Sequence, residues 1–231
     1  YTSPTPFTAG KYYWRIRVMV SDTYGDWMPV QTFTVSPIPV APALDAPVSG
    51  ALTNDNTPLL SWQPVVDPFR PVSGYQVQVG RSPYFTTYST EDVAGANSYE
   101  TNAVTVDGRY YWRVRAVNDL GVYGKWSSSR SIVVDSTPPA VPSLIIPLDG
   151  INVHGIPFYY WRSDSSAKYY QFEFATDVGF TNIEYQTGEL SVAFHILPGQ
   201  KRGAYYWHVR ARDLAGNWSN WSETRLITIA P

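Results

Sequence analysis

Apolar and polar side chains alternate with a period of two along several short runs of this chain. Tyr110, Trp112, Val114 and Ala116 fall on one side, with Tyr111, Arg113 and Arg115 on the other. That alternation marks a half-buried antiparallel strand. Tyr75, Val77 and Val79 alternate in the same way with Gln76 and Gln78, and Tyr170, Phe172 and Phe174 with Gln171 and Glu173. Residues 59–62, 131–134, 158–161 and 226–229 predict further strands. The 19 prolines and 16 glycines punctuate these runs, as expected of many short strands joined by turns.

The strands recur as a unit. Tyr12-Tyr13-Trp14-Arg15-Ile16-Arg17, Tyr110-Tyr111-Trp112-Arg113-Val114-Arg115 and Tyr205-Tyr206-Trp207-His208-Val209-Arg210 place their tryptophans 98 and then 95 residues apart. Tyr75, Phe85, Gly121 and Trp126 map onto Tyr170, Phe180, Gly216 and Trp221 at the same offset of 95. Two proline-rich linkers, 36–42 and 136–142, are extended and semi-rigid. They predict the C-terminal part of a repeat at 1–42 and complete repeats at 43–136 and 137–231. Tyr1 precedes Trp14 by 13 residues, as Tyr99 precedes Trp112 and Phe194 precedes Trp207. The first repeat is therefore expected to open near its fifth strand, and the chain to be a piece of a longer protein. Three strands cannot bury both faces of a sandwich, so the remainder is expected upstream or from another chain.

About seven strands in roughly 95 residues fits an immunoglobulin-like sandwich. Leu60-Ser61-Trp62-Gln63-Pro64 resembles the second strand of fibronectin type III domains, whose tryptophan fills the core. Tyr110 with Val114 and Ala116 resembles that family's sixth strand, and Asn118–Gly121 and Asp213–Asn217 its following turn. The resemblance implies an all-β chain of tandem immunoglobulin-like (fibronectin type III) β-sandwiches. The tryptophan content of the last two strands resembles bacterial surface repeats more than animal adhesion proteins.

Composition narrows the function. Hydrophobic residues make up 44% and charged ones 16%, enough for packed cores, and the net charge of −2 gives no footprint for nucleic acid. Without cysteine there is neither a disulfide framework nor a thiolate metal site. No apolar run approaches the ~20 residues that span a bilayer, so membrane insertion by this segment is not expected. Each complete repeat offers two core tryptophans, Trp62 with Trp112 and Trp161 with Trp207. Burying one large apolar side chain contributes about 1.5–3 kcal/mol, which offsets chain entropy without a disulfide.

The sharpest motif is Trp218-Ser219-Asn220-Trp221-Ser222. It matches the Trp-Ser-x-Trp-Ser box of type I cytokine receptors, a resemblance that implies tryptophan rings interleaved with arginines of the neighbouring strand. Arg210 and Arg212 lie on the outward face of that strand. Arg113 and Arg115 stand in the same relation to Tyr123 and Trp126, and Arg15 and Arg17 to Tyr24 and Trp27. The expected feature is thus a repeat-wide aromatic–arginine surface ladder of Arg113, Arg115, Tyr123, Trp126, Arg210, Arg212, Trp218 and Trp221. Asn217 and Asn220 each open a glycosylation sequon and are candidate modification sites. His154, His195 and His208 lack metal-cluster spacing, and His208 is expected at the surface. Glu91 and Asp92 are adjacent on a strand and point to opposite faces, a poor start for paired acid–base work. Asp119 and Asp213 are expected to form turns. Tyr13, Tyr84, Phe69, Phe85, Tyr111 and Tyr206 are expected as exposed aromatics, beside the arginines or in loops.

These features lead to the expectation of a non-enzymatic structural and adhesive module on a bacterial extracellular or cell-surface protein or filament. Its expected partners are other protein chains, copies of itself among them, or glycans, with no cofactor, metal or nucleic acid. Two alternatives stand beside it: a receptor-like ectodomain of cytokine-receptor type, and a spacer in a polysaccharide-degrading enzyme.

Overall fold

A computed structural model describes every residue except Tyr1, Pro4, Ala103 and Thr105. All regular structure among the described residues is β. No helix is long and apolar enough to cross a membrane. The chain divides into two compact units, residues 1–50 with 59–101 and 110–131, and residues 51–58 with 102–109 and 132–231.

The first unit opens with β1 (Gly10–Trp14), β2 (Arg17–Val20), β3 (Thr23–Trp27) and β4 (Gln31–Val35). β1 pairs antiparallel with β4 and β2 with β3. Trp14, Ile16 and Val18 hold the places of Trp112, Val114 and Ala116, yet are 47–68% exposed where their counterparts are fully buried. The apolar face of this partial repeat is therefore open among the described residues. The register argument that rests on Tyr1 lies outside them.

The next strands are β5 (Leu44–Ala46), β6 (Ala51–Thr53), β7 (Leu59–Trp62), β8 (Val72–Gly80), β9 (Tyr88–Ala94), β10 (Ser98–Glu100), β11 (Gly108–Asn118) and β12 (Arg130–Val134). Within the first unit β7 lies between β5 and β10, and β8 between β9 and β11, all antiparallel. Leu60, Trp62, Tyr75, Val77, Trp112, Val114 and Ala116 are buried. Gln76 and Gln78 are also buried, although strand alternation points them away from that core.

In the second unit β6 runs parallel to β12. It continues with β13 (Leu144–Ile146), β14 (Ile151–His154), β15 (Phe158–Trp161), β16 (Tyr169–Ala175), β17 (Ile183–Gln186), β18 (Phe194–Ile196), β19 (Gly203–Arg212) and β20 (Arg225–Ala230). These form a three-stranded sheet, β13-β15-β18, and a five-stranded one, β14-β20-β19-β16-β17. The first strand of the repeat is split: β13 joins the small sheet, and β14 crosses to the large one parallel to β20. Tyr159, Trp161, Phe172, Phe174, Trp207, Val209 and Ile227 pack between the sheets as one cluster with no exposed surface.

One arginine per complete repeat ties down the split strand. Arg225 donates from Nη1 to the Ile145 and Pro147 carbonyls and from Nη2 to that of Leu144. Arg130 does the same to Asp45, Pro47 and Leu44. A guanidinium fork suits several carbonyls gathered at a strand end.

The strand register corrects one sequence equivalence. Ser98 pairs with Ser61, and Glu100 with Leu59, whereas Phe194 pairs with Tyr160 and Ile196 with Phe158. Phe194 therefore corresponds to Ser98 and points outward, and His195 corresponds to Tyr99. Counting back from the tryptophan misses this because the two loops before β11 and β19 differ by one residue.

Candidate functional site

The segment after β11 reads Tyr123-Gly124-Lys125-Trp126-Ser127, and that after β19 reads Trp218-Ser219-Asn220-Trp221-Ser222. Each places an aromatic ring and a small residue with a period of three, the repeat of an extended left-handed helix. The small residues face the strand. Ser222 and Ser219 take the backbone N–H groups of Val209 and Ala211 on their Oγ atoms (3.1 and 2.9 Å), and their own N–H groups donate back to the same residues' carbonyls (2.8 Å each). Ser127 treats Val114 identically. A serine hydroxyl thus stands in for the carbonyl that a neighbouring strand would offer. Gly124 replaces the other serine because a Cβ there would collide with the Pro39 carbonyl oxygen.

With the small residues turned in, the aromatic rings turn out over the strand's arginines. In the second repeat the order is Phe85, Arg113, Trp126, Arg115, Tyr123, with guanidinium-to-centroid distances of 4.1, 4.5, 4.4 and 4.0 Å. In the third, Phe180 stacks on His208 at 3.6 Å and His208 on Trp221 at 3.9 Å. Arg210 then sits between Trp221 and Trp218 at 4.6 and 4.4 Å, and Arg212 follows at 5.7 Å. The partial first repeat stacks Arg15, Trp27, Arg17 and Tyr24 at 4.3, 4.6 and 3.7 Å. The structure therefore brings together all eight ladder residues read from the sequence, four in each complete repeat.

Strand neighbours hold the rungs in plane. Gln78 Oε1 accepts from Arg113 Nε and Nη2 (2.9 and 2.8 Å), Gln76 Oε1 from Arg115 (3.0 and 2.6 Å), and Gln171 Oε1 from Arg210 Nε (2.8 Å). Each glutamine lies directly opposite its arginine in the sheet register. Where His208 replaces arginine, Glu173 replaces glutamine, and His208 Nε2 lies 3.0 Å from Glu173 Oε2. Gln186 donates to the other carboxylate oxygen at 2.8 Å. Arg212 pairs with Glu189 at the outer end.

Several positions differ from their sequence expectations. His208 is 7% exposed rather than at the surface, because Phe180 and Trp221 cover both faces of its ring. Burial lowers its pKa, against the opposing pull of Glu173. Phe85 is 5% exposed, not a loop-tip aromatic, since it caps Arg113. Asn217 is buried, and its Nδ2 donates to the Asp135 carbonyl (2.7 Å) and to Asp213 Oδ2 (2.8 Å). That nitrogen is occupied in the folded chain, while Asn220 is exposed. Asp213 does organise its turn, accepting from the N–H groups of Gly216 and Asn217. In the second repeat that work falls to Asn118 rather than Asp119, which instead pairs with Arg70.

Sequence reasoning missed the ladder caps. Phe85 and Phe180 lie 95 residues apart, and both adopt positive φ, 53° and 52°. Each ends a tight turn, donating its N–H to Ser82 or Asp177. A bulky residue in the left-handed region is strained by about 1–2 kcal/mol and persists only where its surroundings fix it. The shared offset was the available signal.

Residues 45–134 match the family described as the Rha78A-like, N-terminal immunoglobulin domain. The FN1–FN3 domains of chicken CNTN1 superpose with a TM-score of 0.57 at 17% identity, over 96% of this chain and 76% of that one. The fold of this chain is all-β, immunoglobulin-like and fibronectin III-like. The fibronectin(III)-like modules of Clostridium thermocellum CbhA are also similar, at a TM-score of 0.45 and 20% identity over 81% of this chain and 93% of that one. No curated protein matches the sequence. Among the described residues no group of three or more His, Asp or Glu is placed to hold a metal ion.

Proposed function

We propose that these domains form a non-enzymatic structural and adhesive segment of a bacterial extracellular surface protein or filament. In this reading one partial and two complete repeats, bounded at 42/43 and 136/137, act through contacts with other protein chains or glycans. The observation that carries it is the rebuilding of one stack in all three repeats from different residues. Tyr24 and Trp27, Tyr123 and Trp126, and Trp218 and Trp221 each clamp arginines of the preceding segment. Because the Trp-Ser-x-Trp-Ser sequence is one way among three of making the stack, it supports a shared mechanical role over a receptor-specific one. Cation–π contacts contribute roughly 0.5–1 kcal/mol each when exposed, so a stack of several rungs stiffens a sheet face without a disulfide.

The test is single-molecule stretching of the chain. Separate force peaks are expected for the two complete repeats, and Arg115→Ala should lower the peak of the second repeat alone. Extension without resolved peaks would remove the mechanical reading. Saturable binding of a soluble protein ligand, lost on substitution in linker 136–142, would favour the receptor reading instead.

A further inference from the structure

The first and last strands of each complete repeat are tied to each other in three successive ways, and one of them is a single arginine. In the third repeat β14 runs parallel to β20 through Ile151↔Ile227, Asn152↔Thr228, Val153↔Ile229 and His154↔Ala230. Just before that ladder the Gly150 N–H donates to the Leu226 carbonyl (2.8 Å), and Asp149 Oδ1 takes the Leu226 N–H (2.7 Å). Further back the chain crosses between sheets at Pro147, whose ring leaves no N–H for a ladder bond. There the Arg225 fork, from the first residue of β20, reaches the carbonyls of Leu144, Ile145 and Pro147. The Arg225 side chain is only 12% exposed, so water does not readily take its place. The second repeat is built alike. β6 runs parallel to β12 through Ala51↔Ile132, Leu52↔Val133 and Val134↔Thr53. The Gly50 N–H donates to the Ser131 carbonyl (2.6 Å), the Ser49 hydroxyl takes the Ser131 N–H (3.3 Å), and the Arg130 fork spans Leu44, Asp45 and Pro47.

Parallel pairing decides how these contacts meet a pull. Tension along the chain enters a repeat at the start of its first strand and leaves at the end of its last. In a parallel pair those points lie at opposite ends of the ladder, so the strands are driven past each other. Every cross-link between them is then pulled on together. An antiparallel pair would bring both points to one end and open bond by bond. The fork adds three bonds from one side chain, and its charge makes each stronger than a neutral hydrogen bond.

We infer that Arg130 and Arg225 are mechanical locks, side chains whose carbonyl contacts must part before their repeats can unfold under tension. The third repeat carries the stronger lock. β14 and β20 share four pairs where β6 and β12 share three. Glu223 also holds Arg225, accepting from Nε and Nη2 at 2.9 and 2.7 Å, and the equivalent residue in the second repeat is Ser128. The second repeat therefore yields first. This inference rests on the mechanical reading of the repeats but places the resistance at the first and last strands, away from the aromatic stack.

Constant-force stretching of the whole 231-residue chain tests it, beside urea unfolding of the same variants. Each complete repeat gives one extension step, assigned by the substitution that moves it. Contacts broken on the way to the barrier appear in the unfolding rate, so Arg225→Ala should raise the rate of one step about tenfold or more, and Arg130→Ala that of the other. Arg225→Lys, which keeps the charge but not the fork, should fall between Arg225→Ala and the parent. Phe180→Ala, which weakens the third repeat outside the β14–β20 seam, should change that repeat's rate less than Arg225→Ala does. In the parent the step that answers to Arg130→Ala should come first. Steps that stay within about twofold of the parent rate in both alanine variants, while urea stability falls, overturn the inference and leave the mechanical reading of the repeats standing. A larger effect of Phe180→Ala than of Arg225→Ala also overturns it, as does the reverse order of steps. Extension without steps removes the inference and the mechanical reading together.

Discussion

Phe85 sets two opposing effects against each other, and one pair of substitutions separates them. Its ring is 5% exposed and stacks on Arg113 at 4.1 Å, while its backbone sits at φ 53°. Removing the ring forfeits about 1.5–3 kcal/mol of burial and a further 0.5–2 kcal/mol of cation–π attraction. Phe85→Ala is therefore expected to destabilise the second repeat by about 3 kcal/mol, a midpoint drop of roughly 12–20 °C for a domain of this size. Alanine keeps the left-handed strain. Glycine releases it, so Phe85→Gly should be more stable than Phe85→Ala by about 1 kcal/mol, despite the greater freedom glycine gives the unfolded chain. Elsewhere in a fold the order is the reverse. Differential scanning calorimetry of the two variants beside the parent reads the difference directly, and Phe180, at φ 52°, gives an independent repeat of the experiment. Should Phe85→Ala equal or exceed Phe85→Gly in midpoint, the positive φ is not what holds the cap, and the account of the turn is wrong.

Three further outcomes are expected. A double-mutant cycle of Arg115→Ala with Trp126→Ala should give a coupling of about 0.5–2 kcal/mol in urea unfolding; a value within 0.2 kcal/mol of zero would mean the stack is geometry without energy. Arg225→Ala takes the guanidinium from three carbonyls in and just after β13 and should destabilise the third repeat by about 2–3 kcal/mol, with Arg130→Ala matching it in the second. Burial lowers the pKa of His208 in the folded chain below its unfolded value of about 6.5, although Glu173 pulls the other way and Arg210 adds to the lowering. The unfolded chain then binds more protons between the two values, so this contribution is complete above pH ~6.5 and is lost as pH falls toward the folded pKa. Unfolding midpoints across pH 5–8 should show that slope in the parent and a smaller one in His208→Arg, the remainder belonging to His195, whose pKa burial also lowers; a slope unchanged by the substitution would place it wholly in other groups.

The strands were legible because their side chains alternate, and the stack because arginine on the outward face of one strand met aromatic residues three apart in the next segment. The caps were not. Nothing in Arg81-Ser82-Pro83-Tyr84-Phe85 or in Thr176-Asp177-Val178-Gly179-Phe180 announces a left-handed phenylalanine, since the conformation is imposed by the ring's destination and not by local preference. Burial of His208 escaped notice for a related reason. Strand period places it outward, and only the caps and the tryptophans, arriving from distant segments, cover that side. Strand period turns Gln76, Gln78 and Glu173 away from the sandwich core, and the stack makes that side a second, polar interior.

The paired exchange of Arg113 with Gln78 for His208 with Glu173 has a consequence for how such repeats diverge. A histidine facing an amide would lose the carboxylate that holds His208, and an arginine facing a carboxylate would change the net charge held beneath the layer of rings. Copies of this repeat are therefore expected to change at the two positions together. Their lineage should be traceable by correlated substitution across two strands about 35 residues apart, even where the rest of the sequence has drifted beyond recognition.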